Sequence, residues 1–179
     1  MSIEKLPPLF IYHFLFYIFI DKLCIKRNWY SVLDGSPGFT SQVFTFLQDR
    51  VLKTGPIIAS LVVDEMSIMT QVTFDGKKYV GAVDKGDGKE EEDFASDSLV
   101  FMIVGVNQHF KIPVGYFLIK SMNADERANL VHIYLQKLRD CGVEITSVTF
   151  DSPPVNQSLF KKLGGNLNPN ALKVGRKEF

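Results

Sequence analysis

The sequence contains few of the residues from which zinc sites are built. Its 179 residues include two cysteines, Cys24 and Cys141, and three histidines, His13, His109 and His132. They are too few and too scattered along the chain for a Cys/His zinc site. We therefore interpret these five residues as core or surface positions, and expect a reduced, intracellular setting.

The chain also lacks an excess of either charge. Lys and Arg total 20, as do Asp and Glu, and the overall composition is that of one ordinary globular domain. No overall basic field indicates nucleic acid as a partner, although the basic groups in CIKRNWY (24–30) and KVGRKEF (173–179) could still meet a phosphate backbone. Net charge therefore leaves the choice of partner open.

The apolar run LFIYHFLFYIFI, residues 9–20, is too short to span a bilayer, which takes about 20 apolar residues. Its flanks lack the basic start and the small-residue cleavage site of a secretory signal, so we do not expect a membrane partner. A signal or anchor remains an alternative. So does translated A/T-rich DNA, from a misplaced start or a retained intron. We set residues 1–27 apart as an apolar segment of doubtful origin.

A helix and a central strand are predicted next. Turn signals in WYSVLDGSPGF (29–39) precede a helix for which Thr40 is the expected N-cap and Gly55 the residue beyond the end. The apolar positions of this helix are Val43, Phe44, Leu47, Val51 and Leu52. Residues 57–64, IIASLVVD, are continuously apolar and rich in β-branched side chains, which predicts a strand buried on both faces.

A hairpin, a polar loop and two further strands follow. Asp75-Gly76 between two short runs predicts a type I′ turn. Residues 85–97 are acidic and match neither a P-loop nor an EF-hand loop, so we expect a solvated loop. SLVFMIVGV and KIPVGYFLI predict strands around a turn near Asn107 and Gln108. Pro113 favours an edge or a bulge for the second strand.

The next element is a second helix. Asn123 and Glu126 form a capping-box-like start, and Gly142 follows the end. Off its apolar stripe, His132 and Arg139 are expected to face water. The stripe itself comprises Ala128, Val131, Tyr134, Leu135 and Leu138.

Residues 143–151 predict another strand, which ends in a carboxylate, Asp151, as residues 57–64 end in Asp64. A right-handed crossover would make the two strands parallel, and strands that pair lie about 4.8 Å apart. Both carboxylates could then hold the same Mg²⁺ or Mn²⁺ ions, which suits in-line phosphoryl displacement. Alternatively, Asp151 caps the helix that follows. Glu65 should point to the opposite face of its strand from Asp64.

Several segments together resemble the RNase H-like catalytic region of P element-type transposases, including THAP-type transposase-derived proteins. They are WYSVLDGSPGFT, LVVDEMSI, FDGKKYVGAVD, SLVFMIVGVNQHFKIPVGYFLI and the run from NADERANL to SLFKKLGG, in this order. The resemblance covers residues 28–168. It implies a partial RNase H-like α/β fold, in which a mixed sheet combines an antiparallel meander with a parallel strand after a crossover helix, flanked by helices.

The same resemblance implies a nuclear, cut-and-paste DNA transposase. Its catalytic metal ligands would be Asp64 and Asp151, its cofactor Mg²⁺ or Mn²⁺, and its partner DNA. The family's zinc-coordinating THAP domain, GTP-binding insertion and third catalytic acid have no counterpart here, and Ser152 stands where the family tends to have Gly.

We therefore expect a fragment or degenerate copy that is inactive alone, with residues 169–179 as a C-terminal tail. The alternative is a domesticated, non-catalytic interaction module that keeps the RNase H-like fold. The oligomeric state stays open.

Overall fold

The computed structural model describes residues 35–74, 79–86, 93–151 and 153–166. The apolar N-terminal segment, the C-terminal tail and the Asp75-Gly76 turn lie outside these ranges. The strands are β1 Gly38–Phe39, β2 Ile57–Ser67, β3 Thr73–Phe74, β4 Tyr79–Val80, β5 Asp97–Gly105, β6 Lys111–Ile119 and β7 Val143–Thr149. The helices are α1 Ser41–Thr54, α2 Ala124–Asp140 and α3 Pro154–Lys162.

The main sheet is mixed, with the strand order β1-β6-β5-β2-β7. Strand β2 pairs with β5 in the antiparallel sense and with β7 in the parallel sense. Helix α2 connects β6 to β7, and thereby carries the chain across the sheet to the far side of β2. The predicted antiparallel meander followed by a parallel strand is confirmed. The predicted hairpin is confirmed in its strands, because β3 pairs with β4.

Strand β2 differs from its prediction in two respects. It continues to Ser67, because pairing with β5 persists as far as Ser67 opposite Asp97, so Asp64 and Glu65 lie inside the strand and not at its end. Burial along it also alternates: Ile57, Ala59, Leu61 and Val63 are buried, whereas Ile58, Ser60 and Val62 are half-buried. The expectation of burial on both faces was wrong, since the helices share one core with the first set alone.

The core on the helical face is built around Tyr134 of α2. Its ring stacks on Phe101 with centroids 4.1 Å apart and contacts Phe39 at 4.4 Å. Val43 and Leu47 of α1 are buried in the same cluster, as predicted. Leu52 is 84% exposed, so its assignment to the apolar stripe was wrong. At about 100° per residue, it lies about 140° around the helix from Leu47.

Both helix starts follow the predicted positions, but only one has a side-chain cap. Asn123 Oδ1 accepts from the backbone amides of Asp125 and Glu126, and Glu126 Oε2 accepts from Asn123 N at 2.9 Å, which completes the capping box. Thr40 occupies the N-cap of α1 without a side-chain cap bond. Gly142 follows α2 with a φ of 78°, which favours glycine. The exposure of His132 and Arg139 is confirmed.

The segment between β4 and β5 packs more closely than a solvated loop would. Val83 and Ala95 are buried in a second cluster with Ile68 and Leu118, and Asp84 pairs with Leu118. The solvated-loop expectation for residues 85–97 was therefore wrong at Ala95, while residues 87–92 lie outside the described ranges.

The irregularity expected at Pro113 is a bulge. Pro113 lies opposite Met102 and Gly115 opposite Phe101, which leaves Val114 as the extra residue. Strand β6 is not an edge strand, because it lies between β1 and β5. Across the described ranges, no helix is both long and apolar enough to cross a membrane.

Candidate metal centre

The two carboxylates identified in the sequence belong to neighbouring parallel strands, Asp64 inside β2 and Asp151 two residues after the end of β7. Residue pairing between β2 and β7 begins with Ile57 opposite Val143 and ends with Val62 opposite Thr149. Asp64 lies two residues after Val62, and Asp151 lies two residues after Thr149. The register that begins with Ser60 opposite Ser147, if it continued for those two residues, would set the two aspartates opposite each other on strands about 4.8 Å apart.

Asp64 is exposed and lies on the sheet face of Val62, the half-buried face. On one side β2 remains paired at this point, with Asp64 opposite Val100 of β5. On the other side the pairing with β7 has already ended. Asp64 Oδ1 accepts from the backbone amide of Glu65 at 3.0 Å. The carboxylate therefore lies on a strand that is still hydrogen-bonded to β5, and it is open to solvent.

Asp151 is exposed as well, and it does not cap the following helix. The N-cap of α3 is Pro153, with Pro154 in the first helical turn, and no side chain caps it. Instead, Asp151 Oδ1 accepts a hydrogen bond of 2.6 Å from the side-chain amide of Asn156, in the first turn of α3. The capping alternative for Asp151 was wrong, because the two prolines shift the helix start away from the aspartate.

Glu65 lies on the opposite face of β2 from Asp64, as predicted, and there it meets a buried arginine. Arg127 of α2 is 5% exposed, and its Nη2 donates to Glu65 Oε1. Its Nε donates to the carbonyl of Met122 at 3.1 Å, and its Nη1 to Asn156 Oδ1 at 3.3 Å. Asn156 is itself 4% exposed. A hydrogen-bonded chain thus runs from Glu65 through Arg127 and Asn156 to Asp151.

Sequence reasoning missed Arg127 and Asn156, although Arg127 carried a signal. It stands four residues before Val131 and seven before Tyr134, which places it on the buried stripe of α2. It also lies near the helix N-terminus, where the helix dipole disfavours a cation. A charged residue in both circumstances indicates a specific buried partner. Asn156 offered no comparable signal.

The donor chemistry at this end of the sheet fits a hard divalent cation. Carboxylate oxygens suit Mg²⁺ or Mn²⁺, and Mg²⁺ commonly takes one or two protein carboxylates and fills its other positions with water and substrate phosphates. In the part of the chain that the structure describes, no cluster of three or more His, Cys, Asp or Glu residues could hold a metal. Two carboxylates are the donors to be considered.

Comparison with known proteins identifies the domain. A family model described as "TNP-like, RNase H N-terminal domain" matches residues 35–164. Human DNA transposase THAP9 is 31% identical over 156 residues, which is 83% of this chain and 17% of that protein. The chain therefore spans under a fifth of the length of this curated relative.

A solved structure agrees with the sequence comparisons. The chain resembles the Drosophila P element transposase strand transfer complex with a TM-score of 0.53 and 20% identity, over 79% of this chain and 30% of that one. At this identity the likeness shows the fold, which is RNase H-like as expected. The match to the family model shows that the chain belongs to the P element-type transposase family, as its TNP-like RNase H N-terminal domain.

Proposed function

We propose that this chain is part of the catalytic core of a P element-type DNA transposase, in which Asp64 and Asp151 hold a divalent cation for phosphoryl transfer on DNA. One observation supports this above all others. The parallel pairing of β2 with β7 ends at Val62 opposite Thr149, and the same register carried two residues further would bring the two exposed carboxylates side by side.

The role of each carboxylate follows from its position. When bound, the cation supplies charge that activates an attacking hydroxyl and stabilises the leaving oxygen of the phosphodiester. Asp64, in the paired part of β2, provides a donor on a rigid element, and Asp151 provides the second donor from the adjacent chain segment. Because both side chains are exposed, each is accessible to a DNA backbone.

The proposal does not extend to cleavage by this chain alone. The family resemblance implies a third catalytic acid, for which the sequence offers no matching context. We propose that this chain binds a divalent cation and lacks DNA cleavage activity by itself. DNA as the partner and the nucleus as the location complete the proposal, and both rest on the relationship to DNA transposases.

A second candidate is an interaction module that has kept the fold and lost the chemistry. It is favoured by the donor set, since the described residues offer two aspartates at this place and no larger metal-binding group. Such a module would keep the RNase H-like core and show no differential response of Asp64 and Asp151 variants to metal.

The two candidates are separated by titration with Mn²⁺, followed by calorimetry and by thermal shift. Wild type is compared with Asp64→Asn, Asp151→Asn and the control Asp49→Asn, which makes the same change at an exposed aspartate of α1. We expect wild type and the control to bind Mn²⁺ and gain thermal stability, and both site variants to lose most of the response. Equal responses from all four proteins would rule out the metal site and leave the interaction module.

A further inference from the structure

We infer that Asn156 and Arg127 are positioning residues for the metal ligand Asp151. Together they fix the orientation of its carboxylate and tie it to the neighbour of Asp64 in β2. The metal-binding part of this inference rests on the proposed function, whereas the hydrogen bonds from Arg127 through Asn156 to Asp151 are observed directly in the structure.

The first step concerns the buried amide of Asn156. Its Oδ1 accepts from Arg127 Nη1 at 3.3 Å, and its Nδ2 donates to Asp151 Oδ1 at 2.6 Å. A guanidinium can only donate, so the end of the amide that faces Arg127 must be the oxygen. The NH₂ end is thereby directed at Asp151, where it meets an acceptor-only carboxylate and forms a charge-assisted bond.

The second step concerns what holds the guanidinium. Arg127 is anchored at Nε by the Met122 carbonyl and at Nη2 by Glu65. Because Glu65 supplies the opposite charge, Arg127 can remain charged while it is buried. Arg127 therefore has little freedom to release the amide of Asn156, and the orientation of that amide is set from two other elements.

The third step connects the two metal ligands. Glu65 directly follows Asp64 in β2, and the chain of contacts from Glu65 leads through α2 and α3 to Asp151. The network thus joins the backbone next to one ligand with the side chain of the other, although the strand pairing itself ends at Val62 and Thr149. Beyond the last strand pairing, these side-chain hydrogen bonds link the Asp151 segment to β2 in place of backbone hydrogen bonds.

The consequence is a carboxylate with two unlike oxygens. Oδ1 of Asp151 accepts from Asn156. Among the described residues no hydrogen bond to Oδ2 is seen, and in this proposal Oδ2 binds the cation. Holding the side chain in one orientation before binding reduces the conformational entropy lost when the cation arrives. Groups that orient metal ligands in this way commonly change metal affinity by about 10-fold to 100-fold when they are removed.

The first experiment measures Mn²⁺ affinity by calorimetry in Asn156→Leu, which has a similar size and no polar atoms in the side chain. We expect binding to weaken by about 10-fold. The matched control is Asn107→Ala. Asn107 bonds to Pro56 and Ile58 at the opposite end of β2, so its loss removes comparable hydrogen bonds far from the aspartates. In the Asp151→Asn background, Asn156→Leu should add no further loss. Wild-type affinity in Asn156→Leu, with loss in Asp151→Asn, overturns the inference and leaves the proposed function standing.

The second experiment needs neither metal nor a core substitution. The side-chain amide of Asn156 is followed by ¹⁵N NMR in metal-free wild type and in Asp151→Asn, which alters an exposed residue. We expect slow exchange of the amide protons in wild type, and a large shift with faster exchange in the variant. An amide signal that is unchanged in Asp151→Asn overturns the inference, whatever the metal titrations give. Failure of wild type to bind Mn²⁺ instead removes the proposed function, and the NMR result still decides whether Asn156 orients Asp151.

Discussion

The guanidinium of Arg127 donates to the carboxylate of Glu65, 62 residues away in the chain, and thereby fixes helix α2 to strand β2. Glu65 directly follows Asp64, so the acidic pair at this point of β2 divides into two roles by face. The Asp64 side chain is exposed, and the Glu65 side chain forms a largely buried ion pair with Arg127 of α2.

Substitutions of Glu65 and Arg127 should have strongly non-additive effects on the free energy of unfolding. Glu65→Leu leaves a buried guanidinium without its counter-ion, and we expect a loss of roughly 3 kcal/mol in the free energy of unfolding. The double variant Glu65→Leu with Arg127→Met removes both charges and should be more stable than Glu65→Leu alone, as measured by urea denaturation at neutral pH. A double variant that loses the sum of the two single changes would show that the charges do not interact.

Removal of the Tyr134 hydroxyl should leave the free energy of unfolding unchanged or raise it. That hydroxyl is buried and has no hydrogen-bond partner among the described residues. We expect Tyr134→Phe to equal or exceed wild type in free energy of unfolding, by up to about 1 kcal/mol. Tyr116→Phe is the matched control, since its hydroxyl donates to the Gly35 carbonyl at 2.8 Å and its loss should cost about 1 kcal/mol. The reverse order of the two variants would refute the assignment.

Tyr134 should also make the folded protein less stable at alkaline pH. Burial raises the pKa of Tyr134 well above its ordinary value. The stability that depends on the neutral Tyr134 hydroxyl is fully present below the unfolded-state pKa, about 10. It is lost as the pH rises above that value, because only the unfolded chain then releases the proton. Denaturation at pH 9 and at pH 10.5 should therefore show a smaller loss in Tyr134→Phe than in wild type. Equal losses would contradict this cause.

Gly115→Ala should destabilise the protein through contact with the same hydroxyl. A Cβ at this position would stand 2.0 Å from the Tyr134 hydroxyl and 2.4 Å from the Gly38 carbonyl oxygen. We expect a loss of about 1–3 kcal/mol, as for overpacking of a core. Adding Tyr134→Phe should recover part of the loss, because it removes one of the two clashes. Thermal denaturation of the single and double variants provides the measurement, and absence of any recovery would place the strain at Gly38 alone.

Cys141 should react slowly while the protein is folded. Its side chain is buried, and both burial and the neighbouring charge of Asp140 raise the pKa of its thiol. In a Cys24→Ser background, labelling by a thiol reagent at pH 8 should be at least tenfold slower in buffer than in denaturing urea, since the thiolate is the reactive form. Equal rates in buffer and urea would show that the Cys141 region is open.

Much of this fold was predictable because it depends on local chemistry. Asn123 and Glu126 predicted the start of α2, since a capping box involves residues three apart and needs no other part of the chain. Leu52 shows where the same reasoning fails. It is apolar and lies in a helix, yet the direction of the core around α1 is decided by the sheet against which the helix packs, and Leu52 faces away from it.

The candidate site divides in the same way. Residue type and position along the chain determined that Asp64 and Asp151 follow two apolar segments and that hard cations suit them. Tertiary structure alone decided that Asp151 accepts a hydrogen bond from Asn156 instead of capping helix α3. It also decided that Glu65 has Arg127 as its partner. The physical reason is range. Caps and periodicity act over a few residues, whereas the partner of a buried charge is selected by whichever elements the packed sheet brings against it.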